Sequence, residues 1–594
     1  MASSLKQDDN STELSTFSSS KTPDSQPPSP PENTTEKSSD EDESIYPTGI
    51  ALLLIFVSLC TTTFVVALDA TIIATAIPTI TSQFKSLNDV AGYNAAYLLA
   101  TCAFQLPYGR AYALFGTKWV FLSAIALFEV GSAVCGSAPN SIALILGRAI
   151  QDNGIGCGGV FSGCFIIIAE TVPLRKRSLF TGVIGGTFGI ASVVGPLMGG
   201  ALTTHVSWRW CFYINLPVGA IAMVVVFLCL PKSMGKSSPD LQNKTLWETF
   251  QRFDPIGTAL FIPSIVCLLL ALQWGSQYSW SSPRVIGTFV CFGVAFIAWA
   301  VFQYTEGEEN ATLPRSVLNQ RSVIGACFYS LFGSASFSGI IYYLPIWFQA
   351  IRQDDAQESG IHTLALILSL SFVAIASGGA VVGIGYYTPF LILGSVLMAV
   401  GAGLLYTLKP NASTGSWVGY QILFAAGGGM SLEQCNIAIQ TVLSKEKIPA
   451  ATALLILVRS LGGSIAIAIC QTVFEQRLRK NLANILPGVD LSIISGSGAT
   501  TLVANARAAL GGDEAAVEEV LKLYNNAVVQ VFLAAMIFGA LTLPAGLLVE
   551  WKSVKREKKQ KEVKTEDVEA AREEKCGEEK DGEEKGGDGD ESRK

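Results

Sequence analysis

Six ionisable side chains lie inside long apolar stretches of this 594-residue sequence: Asp69, Glu129, Arg148, Asp152, Glu433 and Arg459. Charge held in lipid is costly, so it points to function by default. A carboxylate beside an arginine stays ionised, whereas one isolated in apolar surroundings takes up a proton. A rearrangement that makes and breaks such a pair would couple proton movement to transport. At ~1.5 Å of rise per helical residue, Asp69 and Arg148 each fall roughly 9 Å inside the same end of their apolar runs, so they can meet. By the same count Glu433 and Arg459 share the opposite third and form a second candidate pair. The competing reading is a static ion pair, or a side chain that reaches the interface; it applies most strongly to Glu129. Asp152, four residues after Arg148, can also pair with it along one helix face.

Other chemistry is not visible. The 13 cysteines show no CxxC pair and sit mostly in apolar runs, as Cys60, Cys102, Cys229 and Cys267 do, so they read as packing residues. The run Gly154-Ile-Gly156-Cys-Gly158-Gly159 contains GxGxxG, but a dinucleotide site needs a strand before it and a helix after it. Here it lies within an apolar span. His205 and His362 fall at the ends of such spans and read as interfacial. No metal cluster or nucleophile–base set appears, so no enzyme, metal or cofactor is expected.

The elements that must hold these residues follow from composition. Hydrophobic residues make up 50% of the chain and charged residues 15%, against about 25% in soluble domains. Residues 1–46 hold 3 basic and 10 acidic side chains and residues 552–594 hold 13 and 15, so 41 of the 89 charges lie in two tails. The middle cannot supply the polar surface of a soluble protein. A soluble enzyme, a secreted disulfide scaffold and a nucleic-acid binder are excluded. The N-terminal tail is rich in Ser, Thr, Pro and acid and cannot bury enough apolar area to fold. It is no signal peptide, so the first apolar run is expected to stay as an anchor.

A bilayer core takes about 20 apolar residues per helix. Windows of that kind lie near 51–77, 92–114, 119–138, 142–170, 179–202, 211–230, 255–276, 284–304, 323–350, 361–385, 390–408, 417–443, 451–474 and 528–550. Fourteen spans put both termini on one side. With that side cytoplasmic, the inside loops up to residue 450 carry 13 Lys and Arg and the short outside loops carry 5, as the positive-inside rule asks. The basic cluster from Lys552 to Lys564 then also lies inside. Of the sequons at Asn10, Asn33, Asn310 and Asn411, only Asn411 falls outside and is open to glycosylation.

One span carries a further pattern. Gly182, Gly185, Gly189, Ser192, Pro196 and Gly199 recur at spacings of three and four, a stripe that lets another helix approach closely. Gly195-Pro196 within it is expected to loosen or kink the helix.

The segment Gly182–Gly200, above all Gly195-Pro196-Leu-Met-Gly199-Gly200, resembles the antiporter motif of drug-exporting major facilitator transporters, with Ala191 where that pattern has a further Gly. Leu68-Asp69-Ala-Thr71-Ile-Ile-Ala-Thr-Ala-Ile-Pro78 is similar to the first-span signature of the fourteen-span drug:proton antiporters. Trp208-Arg209-Trp210-Cys-Phe-Tyr-Ile-Asn215-Leu-Pro217 resembles their span-6 signature. Asp254-Pro255-Ile-Gly257, Leu272-Gln273-Trp274-Gly275 and Tyr342-Tyr343-Leu-Pro345-Ile-Trp347-Phe-Gln349 are similar to the fungal branch of toxin and multidrug efflux pumps. The likeness covers roughly residues 47–551. The gate loop between spans 2 and 3 reads Gly109-Arg110-Ala-Tyr-Ala-Leu-Phe-Gly116-Thr-Lys118 and lacks the family's acid. In the span-4 motif, Arg148-Ala-Ile-Gln151-Asp152-Asn-Gly154, either Asp152 stands where the family has Gly or two residues are inserted before Gly154-Ile-Gly156.

The resemblance implies an all-α integral membrane protein of the major facilitator fold. Two six-helix bundles, 47–230 and 305–551, would be joined by a cytoplasmic loop at 231–254 and two linking helices at 255–304, with an extracellular loop at 475–527 and charged cytoplasmic tails at 1–46 and 552–594. It implies a proton-coupled antiporter that exports a small organic drug or secondary-metabolite toxin. The proton gradient would supply the energy, with the lipid bilayer, protons and substrate as partners, no nucleic acid, and a monomer as the working unit. Asp69, Arg148, Asp152, Glu433 and Arg459 are the coupling candidates. The aromatics Tyr342, Tyr343, Trp347 and Phe348 line the cavity or gate, or else form an interfacial belt. The plasma membrane is the expected location, with the vacuolar membrane as the alternative. Two other classes stay open on the sequence: a proton-coupled uptake carrier for a siderophore or nutrient, and a non-transporting membrane receptor.

Overall fold

The computed structural model of the chain describes residues 46–85, 90–151, 155–231, 234, 245–308, 310–485, 502–510 and 513–555. Among the described residues the architecture is all-helical, apart from one isolated bridge between Tyr386 and Ser553. The helices of the first half are α1 (Gly49–Phe84), α2 (Val90–Phe115), α3 (Thr117–Ser137), α4 (Ser141–Ile150), α5 (Ile155–Thr171), α6 (Leu174–His205), α7 (Trp210–Tyr213) and α8 (Asn215–Cys229). A short α9 (Leu246–Arg252) leads into the pair α10 (Pro255–Tyr278) and α11 (Pro283–Thr305). After α12 (Arg315–Leu318) come α13 (Arg321–Ile351), α14 (Ala356–Ile384), α15 (Thr388–Tyr406), α16 (Thr414–Ser431), α17 (Gln434–Val442), α18 (Ile448–Ile485), α19 (Leu502–Ala509) and α20 (Glu514–Leu548).

Most long helices are apolar on every face, as a bilayer demands, because only a helix or a closed barrel satisfies its own backbone there. Eleven of the described segments are long and apolar enough to cross a membrane, the one at Trp210–Cys229 being α7 and α8 taken together. The window at 92–114 coincides with the 26-residue α2. The windows at 142–170 and 417–443 are each two helices: α4 ends before Gln151, and α16 and α17 are separated by Leu432 and Glu433. Hydropathy averages over a break of this kind and cannot see it.

Side-chain caps set several helix starts. Asn140 accepts from the Ala143 N–H at 2.8 Å, and Asp355 from the Glu358 N–H at 2.7 Å. Asp254 caps α10 from a left-handed conformation, with φ 56°, and Pro255 follows at the first turn. Its carboxylate also receives Thr312 Oγ1 at 2.7 Å and the Gln303 amide, so α10, α11 and Thr312 are tied together. A Cβ at Gly257 would lie 2.2 Å from this carboxylate, which explains the Asp-Pro-Ile-Gly sequence.

In the first half α1 packs on α6 and α8, and α3 packs on α5. In the second half α13 packs on α18 and α20, and α15 on α16 and α20. The halves meet where α6 runs along α14 and where α2 meets α18. On α11 the residues Ile286, Val290, Val294, Ile297 and Val301 are all more than half exposed and fall on one stripe, a lipid-facing surface. Much of 475–527 continues neighbouring helices: α18 runs to Ile485 and α20 starts at Glu514.

Candidate functional site

Asp69 lies in the middle of α1 with no exposed surface. Its Oδ1 accepts from Asn215 Nδ2 at 2.6 Å and from Gln151 Nε2 at 2.9 Å, while its Oδ2 lies 3.6 Å from the guanidinium of Arg148. That last distance is an ion pair rather than a hydrogen bond. Gln151 Nε2 also reaches Ser132 Oγ at 2.8 Å. Four elements therefore converge on one carboxylate. α1 supplies the acid, α3 the serine, the end of α4 the arginine and glutamine, and α8 the asparagine. Two amides and a cation around one buried carboxylate form an arrangement whose bonding changes when a proton arrives, because a protonated oxygen donates rather than accepts.

The sequence places these residues by local means. α4 stops at Gln151, so that side chain hangs off a helix end and can turn toward α1. A Cβ at Gly131 on α3 would lie 2.2 Å from the Gln151 backbone, so glycine lets the break press against α3. Trp208 Nε1 donates to Gln83 at 2.7 Å, Arg209 donates to the Ala138 carbonyl at 2.9 Å, and the chain then turns through α7 to present Asn215. The Trp208–Pro217 signature is thus the scaffold for one donor to Asp69. Asn215, Gln151 and Ser132 are not among the residues singled out from the sequence, although Gln151 and Asn215 both stand inside motifs noted there. Asp152 and Gly154 lie outside the described residues. Glu129 is on α3, close to Gly219 of α8, where a Cβ would lie 1.5 Å from its Oε1.

The second pair is also formed. Arg459 Nη1 donates to Glu433 Oε1 at 3.0 Å, and Asn436 Nδ2 reaches Oε2 at 3.4 Å. Glu433 occupies the break between α16 and α17 and faces α6, where a Cβ at Gly185 would stand 3.0 Å from its side chain.

The α6 glycines divide into two groups. Toward its start, a Cβ at Gly182 would lie 2.4 Å from the Ala374 carbonyl and one at Gly189 2.2 Å from Ser371 Oγ, both on α14 of the other half. Toward its end, Gly195 and Gly199 face Thr71, Ile72 and Thr75 of α1, with Pro196 between them. Gly200 faces open space. One helix thus carries a seam against each half.

At the end of the bundle rich in Arg and Lys, the basic end, Gly109 meets Ala453 and Pro449 of α18. Arg110 Nε donates to the Arg252 carbonyl at 2.8 Å and Lys118 Nζ to the Leu230 carbonyl at 3.0 Å. Gly116 takes φ 81° between α2 and α3. Of the aromatics, Trp347 and Phe348 are fully buried, Tyr343 nearly so, and Tyr342 is 53% exposed. Trp347 Nε1 donates to Asn525 at 2.7 Å, and Phe348 stacks edge-on to Trp417 with ring centres 5.0 Å apart. They form the interior of the second half. His362 sits against Asp354 at 2.8 Å. Asn411 is exposed at the end opposite the basic one. Among the described residues no group of three His, Cys, Asp or Glu could hold a metal.

Residues 59–467 match the Major Facilitator Superfamily. The chain is 46% identical over 515 residues to the MFS-type efflux pump MFS1 of Trichophyton rubrum, covering 86% of this chain and 93% of that one. It is 45% identical over 521 residues to the efflux pump aflT of Aspergillus parasiticus, covering 87% and 99%, and 44% identical over 505 residues to the efflux pump roqT of Penicillium rubens, covering 84% and 91%. Among solved structures, the proton:xylose symporter XylE bound to 6-bromo-6-deoxy-D-glucose superposes with a TM-score of 0.53 at 12% identity, covering 84% of this chain and 99% of that one. The human organic anion transporter MFSD10 gives 0.52 at 12%, covering 83% and 100%. These two speak for the fold alone. The chain is a transporter rather than an enzyme, and it belongs to the Major Facilitator Superfamily, in the branch that holds these efflux pumps.

Proposed function

We propose that the chain is a fourteen-span, proton-coupled antiporter that exports a small, mostly apolar organic compound of the drug or secondary-metabolite toxin class. Both termini are cytoplasmic, so the basic end faces the cytoplasm. The plasma membrane is the working location, the protein acts as a monomer, and the proton gradient is its energy source. Export and the toxin class rest on the relatives named efflux pumps. Coupling rests on one observation: Asp69, wholly buried in a membrane-spanning helix, is held by Arg148, Gln151 and Asn215.

In this reading the ionised Asp69 carboxylate ties α1 to α4 and α8. A proton arriving from outside turns one oxygen from acceptor to donor and releases Arg148. The two halves then favour the other packing along the α6 seams. Substrate can shift this equilibrium only by binding the two arrangements unequally. Asp152, Glu433 and Arg459 complete the set of coupling residues. Eleven long apolar segments, α2, and the two spans α4/α5 and α16/α17 support a count of fourteen. The broken spans are the fourth of each six-helix bundle, and interruptions at corresponding positions of two halves point to the working centre of a transporter.

The test is export of rhodamine 6G and a panel of toxins from energised cells. Asp69→Asn at matched surface expression should abolish proton-dependent efflux. Full efflux by that variant removes Asp69 from the mechanism.

A further inference from the structure

At the basic end the halves are joined through a nine-residue helix, α17, that starts directly after Glu433. The first residue of α17, Gln434, accepts at Oε1 from the Ser178 hydroxyl of α6 at 2.9 Å. Six residues on, Gln440 Nε2 donates to the Phe165 carbonyl of α5 at 3.4 Å. Both amides reach from the second half into the first, and both are buried. Arg110 and Lys118 are turned to backbone carbonyls of residues 252 and 230. The bonds made by α17 across this contact are between neutral groups.

Those bonds are incomplete. Gln434 Nε2, Gln440 Oε1 and Thr181 Oγ1 are buried without a hydrogen-bond partner. A fully bonded or purely apolar contact would hold the closed form strongly. One that rests on two bonds between neutral groups keeps closed and open forms near in free energy. The trigger is adjacent in the chain. Glu433 occupies the break before α17 and bonds Arg459 of α18 at 3.0 Å. Arg459 is the charged group that faces it. α6 presents Gly185 and has no Asp, Glu, Lys, Arg or His between Arg177 and its last residue, His205; nor has α13 beyond Arg321, α14 beyond His362, α15 or α16, while α5 carries Glu170 at the basic end, near Arg177 and Lys445.

We propose that Gln434 and Gln440 are the positioning residues that clasp the basic end shut, and that the Glu433–Arg459 pair controls the clasp through α17. The inference rests on the transport reading above and names the latch in it. With Glu433 ionised, Arg459 fixes the first turn of α17 and both amides reach the first half. A proton on Glu433 releases Arg459. α17 then turns about Leu432 and Glu433 and withdraws both amides. The latch thus needs no acid in the loop at 109–118.

Hydrogen–deuterium exchange of the full chain in lipid nanodiscs, corrected for the intrinsic pH dependence of exchange, tests this. Peptides spanning 174–182 and 434–442 should be protected at alkaline pH and lose protection at acid pH. Glu433→Gln should leave them unprotected at both. Ser178→Ala, a small change that preserves packing, should raise exchange roughly fivefold, and Gln434→Ala with Gln440→Ala by roughly thirtyfold at additivity. Peptides of 388–406, in α15, which packs within the second half and carries no Asp, Glu, Lys, Arg or His, should not change and report correct folding. Wild-type, pH-dependent protection retained in Glu433→Gln, or in the double glutamine variant, overturns the inference. Dye flux measured with the same protein preparations reconstituted into sealed liposomes separates the two readings. A latch that responds to pH in a chain that moves no cargo refutes the transport reading and leaves the latch standing.

Discussion

Gly195→Ala and Gly200→Ala are chemically the same change five residues apart on α6, and they should part company. A Cβ at position 195 would stand 2.0 Å from Thr71 Oγ1, 3.0 Å from its Cβ and 3.1 Å from the Ile72 nitrogen. The Thr71 hydroxyl is itself held by the Ala67 and Leu68 carbonyls, each at 3.1 Å, so rotating it away breaks those bonds. The residue also precedes Pro196, whose ring crowds any Cβ before it when the backbone is helical. Overpacking of this kind costs about 1–3 kcal/mol. The gain in helix propensity from Gly to Ala returns at most about 1 kcal/mol. At position 200 nothing lies within 4 Å, so only the gain remains. Thermal stability in detergent and efflux from cells at matched surface expression read the difference. Gly195→Ala should melt lower and lose most of its efflux, and Gly200→Ala should match or exceed wild type in stability and keep transport. Equal behaviour of the two variants would refute the close approach of α1 and α6 on which the rocking seam depends.

Four further outcomes follow from individual contacts. Asn215→Leu removes the 2.6 Å donor to Asp69, a charge-assisted bond of about 1.5–3 kcal/mol, and should lower efflux about tenfold or more and move its pH profile, with surface expression intact. Trp347→Phe leaves Asn525 Oδ1 without its donor and should cost about 1–3 kcal/mol of stability without moving the pH profile of efflux. Glu433→Arg with Arg459→Glu should recover transport lost in either single variant, since the pair sits at 3.0 Å; full activity in Glu433→Ala counts against the pair. Glycosidase treatment should shift the mobility of the wild-type chain but not of Asn411→Gln, and a shift lost instead in Asn310→Gln would invert the topology.

Much of this arrangement is legible in the residues themselves. Apolar runs announce helices because a bilayer permits few alternatives, and charges within them stand out against that background. Asp69 and Arg148 are found that way, as is the pair Glu433–Arg459, since depth along a helix is a simple count. What the count misses is direction and interruption. Gln151 and Asn215 are uncharged and raise no flag, yet they hold Asp69 because one hangs from a broken helix end and the other follows the turn at 207–214. The breaks at Gln151 and at Leu432–Glu433 disappear in a hydropathy window. The α6 stripe reads as one seam in the sequence. Its division between α14 and α1 depends on which helices lie on either side, which spacing along one helix does not contain. The aromatics of α13 look like a belt or gate, but Trp347 and Phe348 turn inward because Asn525 and Trp417 meet them there.

The central claim is that proton binding at buried carboxylates drives the exchange of the two packings. Purified protein in liposomes loaded with rhodamine 6G tests it most directly. Dye flux should rise when a pH gradient is imposed, vanish when an ionophore collapses the gradient, and be absent in Asp69→Asn. Equal flux with the gradient abolished, or a proton-driven flux that survives in Asp69→Asn, would contradict the account.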